Sequence, residues 1–176
     1  MTVEARLEAA ARIAGSEAPD REERLLEACA DALSEAAGAG PSVQVAILRL
    51  IGGGEFAFAW PRELRAGNRF PAGPSLAGRA LRGAALIENA VPKRPHFALY
   101  EKIPREGVSS APIQRMLALP IPGGDGPLGV VQVTRVGDTP EDAGPGFTPA
   151  DAERLSAVLG SLAPLLDRVW AATRPL

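Results

Sequence analysis

The hydrophobic periodicity of this chain changes twice, and that change constrains the fold more than any other feature. Val3, Leu7, Ala10 and Ala14 fall on one side of a helix over residues 3–14. Leu25, Cys29, Leu33 and Ala36 repeat at intervals of four or three in a second helix, which stops at Gly38-Ala39-Gly40-Pro41. Asp20, with Glu23 three positions on, predicts a capping box at the start of that helix. From Val43 the period becomes two. Val43–Leu50 reads as a strand, Ile51-Gly52-Gly53-Gly54 as a turn, and Phe56, Phe58 and Trp60 alternate with Ala57 and Ala59 in a second strand. Large aromatics on one side and alanines on the other imply a sheet whose faces meet different neighbours. A second hairpin follows at 114–121 and 128–135, turning through Gly123-Gly124-Asp125-Gly126. Between the hairpins, Ser75 can cap a short helix through Leu81, and Ala85-Leu86-Ile87 suggests a short strand. Residues 91–112, with four prolines, show no regular pattern.

The closing helix has the clearest period. Thr148 is its predicted cap, Pro149 its first residue and Asp151 the returning member of a capping box. Leu155, Leu159, Leu162, Leu166 and Val169 form a heptad-spaced seam, broadened by Val158, Leu165 and Trp170. A stripe that wide suits packing on a sheet and on another helix at once. Pro164 is expected to kink it. Helices at both ends and hairpins between make an α+β chain.

Composition removes most other classes. With 176 residues and 46% hydrophobic content, one domain can bury a core without disulfides or metal. Nineteen Lys and Arg against 21 Asp and Glu leave a formal net charge of −2, which argues against nucleic acid as a partner. One cysteine and one histidine exclude any motif that needs two of either. There is no signal-peptide pattern at the start and no apolar run long enough for a membrane, so the expected location is the cytoplasm. No phosphate-binding loop or nucleophile elbow is present, and no enzymatic activity is expected.

The order of elements, with several local motifs, resembles a GAF domain standing alone. Leu64, Gly67, Arg69 and Phe70, then Gly78, Ala80, Leu81 and Gly83, are similar to that family's loop and short helix ahead of its third strand. Leu117-Ala118-Leu119-Pro120-Ile121 followed by Leu128-Gly129-Val130-Val131-Gln132-Val133 resembles its most distinctive hairpin. Phe147-Thr148 with Asp151 and Leu155 resembles the approach to its last helix. The resemblance covers about residues 21–170. It implies an antiparallel sheet of five or six strands, with terminal helices on one face and short helices and loops over a pocket on the other. Residues 19–176 would form the GAF-like domain, and 1–18 an amphipathic helical extension.

Members of that family bind cyclic nucleotides, bilins, haem, amino acids or metabolites, or no known ligand, so the fold alone assigns no function. The free methionine sulfoxide reductases of the family resolve an oxidised thiol with other cysteines, whereas Cys29 is alone and reads as a small buried hydrophobe. Covalent bilin attachment is excluded, because no cysteine accompanies His96. Haem held through His96 is weighed against an ordinary loop histidine, which is preferred. The family's pocket face implies Trp60, Arg69, Phe70, His96, Phe97, Tyr100 and Arg115 as ligand-binding residues. Each has a plainer reading beside it: Trp60 in the core, Arg69 and Tyr100 at the surface. The expected partners are a small-molecule ligand, a second copy through the terminal helices as a four-helix bundle, and a separate signalling protein. A ligandless dimerising or adaptor scaffold is the alternative.

Overall fold

The computed structural model describes residues 2–65, 69–94 and 111–172. Helices α1 (Val3–Ala14) and α2 (Arg21–Ala36) lead into β1 (Val43–Ile51) and β2 (Glu55–Trp60). Next come β3 (Arg69–Pro71), α3 (Leu76–Leu81), β4 (Leu86–Glu88), β5 (Ile113–Ile121), β6 (Gly129–Val136) and α4 (Pro149–Ala171). The six strands form one sheet in the order β3-β2-β1-β6-β5-β4, and every described pairing is antiparallel. This is the α+β architecture expected of the sequence.

One face of the sheet carries α2 and α4, and α1 packs upon that pair. Leu25, Leu26 and Leu33 of α2 meet Leu155, Leu162 and Leu166 of α4 and the odd-numbered residues Leu117, Leu119, Val131 and Val133 of the central strands. Burying a side chain of that size is worth about 1.5–3 kcal/mol, so this layer supplies most of the driving force. Gly129 allows β1 and β6 to close up: a Cβ there would lie 1.9 Å from the Leu48 carbonyl oxygen. The extension at 1–18 thus joins the helical layer. Ala10 and Ala14 are fully buried, and Arg6 pairs with Asp31 at 2.6 Å and Glu35 at 3.7 Å.

The broad stripe on α4 is consumed within the chain. Val158 and Trp170 are buried, and Leu165 packs on the same core. The Arg49 guanidinium stands 5.2 Å from the centre of the Trp170 ring and donates to the Trp170 carbonyl at 3.0 Å, fastening the end of α4 to β1. At the other end the Thr148 hydroxyl accepts from the Asp151 N–H, and the Asp151 carboxylate accepts from the Thr148 N–H at 2.8 Å, the reciprocal cap expected. The helix runs on through Pro164. Pro164 and Gly160, four positions before it, are both exposed, so the carbonyl that loses its backbone donor faces water.

Two local expectations are corrected. Asp20 makes no side-chain cap bond, because its backbone (φ −92°, ψ 11°) lies outside the extended region from which a capping side chain reaches back. The alternation in β2 fails at its last residue. Ile47 pairs with Trp60 and Leu48 with Phe58, leaving Ala59 as an extra, unpaired residue. That bulge places Trp60 with Ala59 against the helical layer, while Phe56 and Phe58 point to the other face.

Candidate functional site

The second face of the sheet is covered by shorter elements. Ser75 starts α3: its hydroxyl donates to the Ala72 carbonyl and accepts from the Gly78 N–H, both at 2.9 Å. Ala77, Gly78 and Ala80 let α3 sit close on β5 and β6, and Gly78 is pressed so tightly that a Cβ would lie 1.6 Å from the Ala72 carbonyl oxygen. Phe70 of β3 stacks obliquely on Phe56 and Phe58, with ring centres 5.6 and 5.7 Å apart. With Leu64, Leu48, Met116 and Val130 these residues fill one part of the second face with apolar side chains.

The neighbouring part is polar. Pairing across the sheet aligns Gln44 of β1, Thr134 of β6, Met116 of β5 and Glu88 of β4 in one row. The next row holds Ala46, Gln132, Ala118 and Leu86. Ala46, Met116 and Ala118 belong to the second-face core, and side chains two apart on a strand share a face, so Gln44, Gln132, Thr134 and Glu88 belong there too. Gln132 is 2% exposed and Thr134 5%. The Gln132 amide donates to the Met116 sulfur at 3.6 Å. At the row's end the buried Glu88 accepts from the Ala90 N–H and from Arg94 Nε at 2.5 Å. Two amides and a hydroxyl offer donors and acceptors without net charge, and the Glu88–Arg94 pair borders them with a neutralised one.

Of the sequence-predicted site residues, the structure describes Trp60, Arg69, Phe70 and Arg115, and it places them on both faces and one edge of the sheet. Phe70 lies in the aromatic part of the second face, and Arg69 beside it is exposed on the edge strand. Trp60 packs on the opposite, helical side. Arg115 stands two residues before Leu117, which places it on that same side. Its guanidinium donates to the carbonyls of Gly144 (2.8 Å), Pro140 (3.0 Å) and Asn89 (3.4 Å). Arg115 therefore clasps the loop that leads into α4. Asn89 does the same with its amide, donating to the Phe147 carbonyl at 2.9 Å and accepting from the Phe147 N–H at 2.8 Å. His96, Phe97 and Tyr100 lie outside the described residues.

The residues that sequence reasoning missed, Gln44, Gln132 and Thr134, carried a signal. They interrupt strands rich in valine at every second position, which would ordinarily mark a solvated face. Only the covering of that face by α3 and its flanking segments buries Gln132 and Thr134 and leaves Gln44 half-buried.

Cys29 sits fully buried in the helical layer, and burial pushes its thiol up to about 12. Among the described residues no group of His, Cys, Asp and Glu could hold a metal ion, and no helix is long and apolar enough to cross a membrane. A cleft of about 260 Å³ between α1 and α2 is lined by Arg6, Ala9, Ile13, Arg24, Ala28 and Asp31. Its facing Arg6 and Asp31 are already paired with each other.

Solved structures share this arrangement over nearly the whole chain. The GAF domain of a phosphoenolpyruvate-protein phosphotransferase from Coxiella burnetii superposes with a TM-score of 0.68 at 16% identity, over 98% of this chain and 97% of that one. The chain has the GAF fold. The GAF-B domain of DevS from Mycobacterium smegmatis gives a TM-score of 0.58 at 16% identity, over 87% of this chain and 98% of that one. Free methionine-R-sulfoxide reductase from Neisseria meningitidis, solved with its substrate, gives 0.59 at 19% identity over 93% and 86%. No family model and no curated protein matches the sequence. GAF domains and a reductase share this fold, so the choice of function falls to the residues.

Proposed function

We propose that this GAF-fold chain is a sensory or regulatory module that holds a small, uncharged, polar molecule on the second face of its sheet. The observation that carries the reading is the patch of Gln44, Gln132 and Thr134 beside an aromatic cluster. Small-molecule sites combine apolar walls with a few placed polar groups, and this layer has that composition. Gln132 and Thr134 already have partners within the chain, and a guest with amide or heterocyclic donors and acceptors would share or exchange those bonds.

A binding module fits better than a reductase. Thiol chemistry needs an accessible thiolate, and the chain's one cysteine lies within the helical layer with its thiol held protonated far above neutral pH. A sensor must also convert occupancy into a change elsewhere, and the contacts leaving the second face suggest how. Leu64 packs in the aromatic part of that face, while the residues around it bind the start of α2: Arg62 pairs with Glu23 at 2.8 Å and Arg65 with Glu22 at 3.5 Å. Asn89 and Arg115 hold the exit of β4 to the approach of α4. A guest that favours one arrangement of these ties shifts the helical layer toward it, for a separate partner protein to read.

The alternative, a ligandless adaptor, draws on α3, whose small residues fill their part of the face closely. Native mass spectrometry of the purified full chain, followed by a thermal-shift screen over nucleosides, amino acids and amides, separates the two. A retained mass or a dose-dependent rise in melting temperature supports the sensor. A bare chain that no compound stabilises favours the adaptor.

A further inference from the structure

The net charge of −2 conceals a division between the two faces of the sheet. Residues 61–94 carry seven basic and two acidic side chains, whereas residues 2–36 carry four and nine. The first segment covers the second face, where its Leu64, Phe70, Leu76 and Val91 pack, and the second segment forms α1 and α2 on the other. Residues 95–110 add two charges of each sign and leave the division as it is. Some of the cations are answered: Arg62 and Arg65 reach Glu23 and Glu22, and Arg94 reaches the buried Glu88. Arg79, Arg82 and Lys93 are exposed and make no ion pair with a described residue. Arg82 donates to the Gly73 carbonyl at 3.4 Å.

These three cations share one region of the cover. Arg79 and Arg82 stand one turn apart on the same side of α3. Lys93 belongs to the helical turn Val91–Lys93, which packs on β5, as α3 does. Leu81 of α3 and Leu86 of β4, two elements in contact, touch the second-face core yet are only half-buried. The platform beneath is fixed, because Gly78 is pressed on Ala72 and Ser75 caps the helix. Cations around half-exposed leucines fit carboxylates and an apolar side chain together, and the Arg fork takes a carboxylate through two N–H donors. We propose that α3, β4 and the Val91–Lys93 turn dock an acidic segment of a separate partner protein, its carboxylates on Arg79, Arg82 and Lys93 and an apolar side chain against Leu81 and Leu86. Nucleic acid and lipid surfaces reward many phosphate contacts made together, and three free cations on a chain of net negative charge offer few. A small anion needs donors that converge, whereas these stand on two separate elements. The docking surface faces outward, so it stands whether or not the second face holds a ligand. Contacts this exposed are screened over about 10 Å at 0.1 M salt, which makes the complex weak and salt-dependent.

The test is fluorescence anisotropy of a short labelled peptide that repeats Glu-Glu-Leu, titrated with the full chain at about 20 mM and about 300 mM salt. The peptide should bind at low salt and lose about tenfold or more in affinity at high salt. A peptide with Gln in place of Glu should not bind, and one with Ala in place of Leu should bind more weakly. Arg79→Glu combined with Arg82→Glu should weaken binding about tenfold or more, and Lys93→Glu alone about threefold. Arg24→Glu makes the same change of charge at an exposed position on α2 and should leave binding within about twofold of wild type. All four positions are exposed, so melting temperatures should stay near wild type. Arg79→Gln with Arg82→Gln repeats the loss without adding repulsion, should the reversals disturb folding. A chain that binds no peptide at low salt overturns the proposal. So does binding that falls as far with Arg24→Glu as with the α3 reversals, which would make it a response to net charge. An oligothymidine or phosphatidylserine vesicles that bind more tightly than the peptide, and lose that binding with the α3 reversals, would assign the surface to a different polyanion and overturn it as well.

Discussion

Replacing Gly78 with alanine sets two effects of opposite sign against each other. Gly78 lies inside α3, and an exposed helical glycine replaced by alanine gains up to about 1 kcal/mol. Here the new Cβ would stand 1.6 Å from the Ala72 carbonyl oxygen, about 1.8 Å inside ordinary contact distance. The obstacle is backbone, so no side-chain rotation relieves it. The same carbonyl accepts from the Ser75 hydroxyl at 2.9 Å, and the Gly78 N–H donates to that hydroxyl, so moving either residue loosens the cap of α3. Overpacking costs about 1–3 kcal/mol where side chains can adapt, and the upper part of that range or beyond applies here. After the propensity gain, a net loss of about 2–3 kcal/mol is expected. For a domain of this size that lowers the melting temperature by roughly 4–12 °C. Thermal and urea denaturation of wild type and Gly78→Ala measure it. An unchanged or raised melting temperature would refute the close seating of α3 on the sheet.

Two further predictions rest on titrating groups. Cys29 has its thiol raised from 9.0 to about 12 by burial, so the folded chain keeps its proton where the unfolded chain gives it up. Its contribution to stability is full below about pH 9 and is lost as pH rises from there toward 12; Cys29→Ala should flatten that alkaline decline, and the native thiol should resist alkylation at pH 8 until denaturant is added. Asp151 is affected the opposite way. Burial works against its charged form, but hydrogen bonds from the Thr148 hydroxyl and N–H and from Arg154 outweigh it and hold the carboxyl below its usual 3.8. That stabilisation is present above the ordinary carboxylate range and disappears as pH falls through the lowered value. Asp151→Asn should reduce the acid-side slope, and Thr148→Ala should cost about 1 kcal/mol at neutral pH in denaturant melts.

The elements themselves were readable because their periods are local. The heptad-spaced leucines, the Thr148 cap and both hairpins lie where the sequence puts them. What escaped depends on partners distant in sequence. Phe56, Phe58 and Trp60 alternate without a break on paper, yet one extra residue at Ala59, visible only against β1, sends Trp60 to the other face. Asp20 has the residue type of a cap but not the backbone. Arg115 carried a charge on a strand near the expected pocket, and nothing local shows that three loop carbonyls wait for it. Gln44 and Gln132 look like the wet side of a sheet until the opposite layer is in place. The breadth of the α4 stripe was legible, and within the chain α1, α2 and β5 all pack against that helix.

The most direct measurement of the proposed function is the melting temperature of wild type and Gln132→Leu, side by side, across the same panel of uncharged polar compounds. Leucine fills a similar volume and removes both the donor and the acceptor from the centre of the patch. The account expects at least one compound to stabilise the wild type in a dose-dependent way and to lose most of that effect on the variant, which itself remains folded. A stabilising compound that acts equally on both proteins would place the ligand elsewhere, and a panel that stabilises neither would leave the polar patch a structural feature of an adaptor.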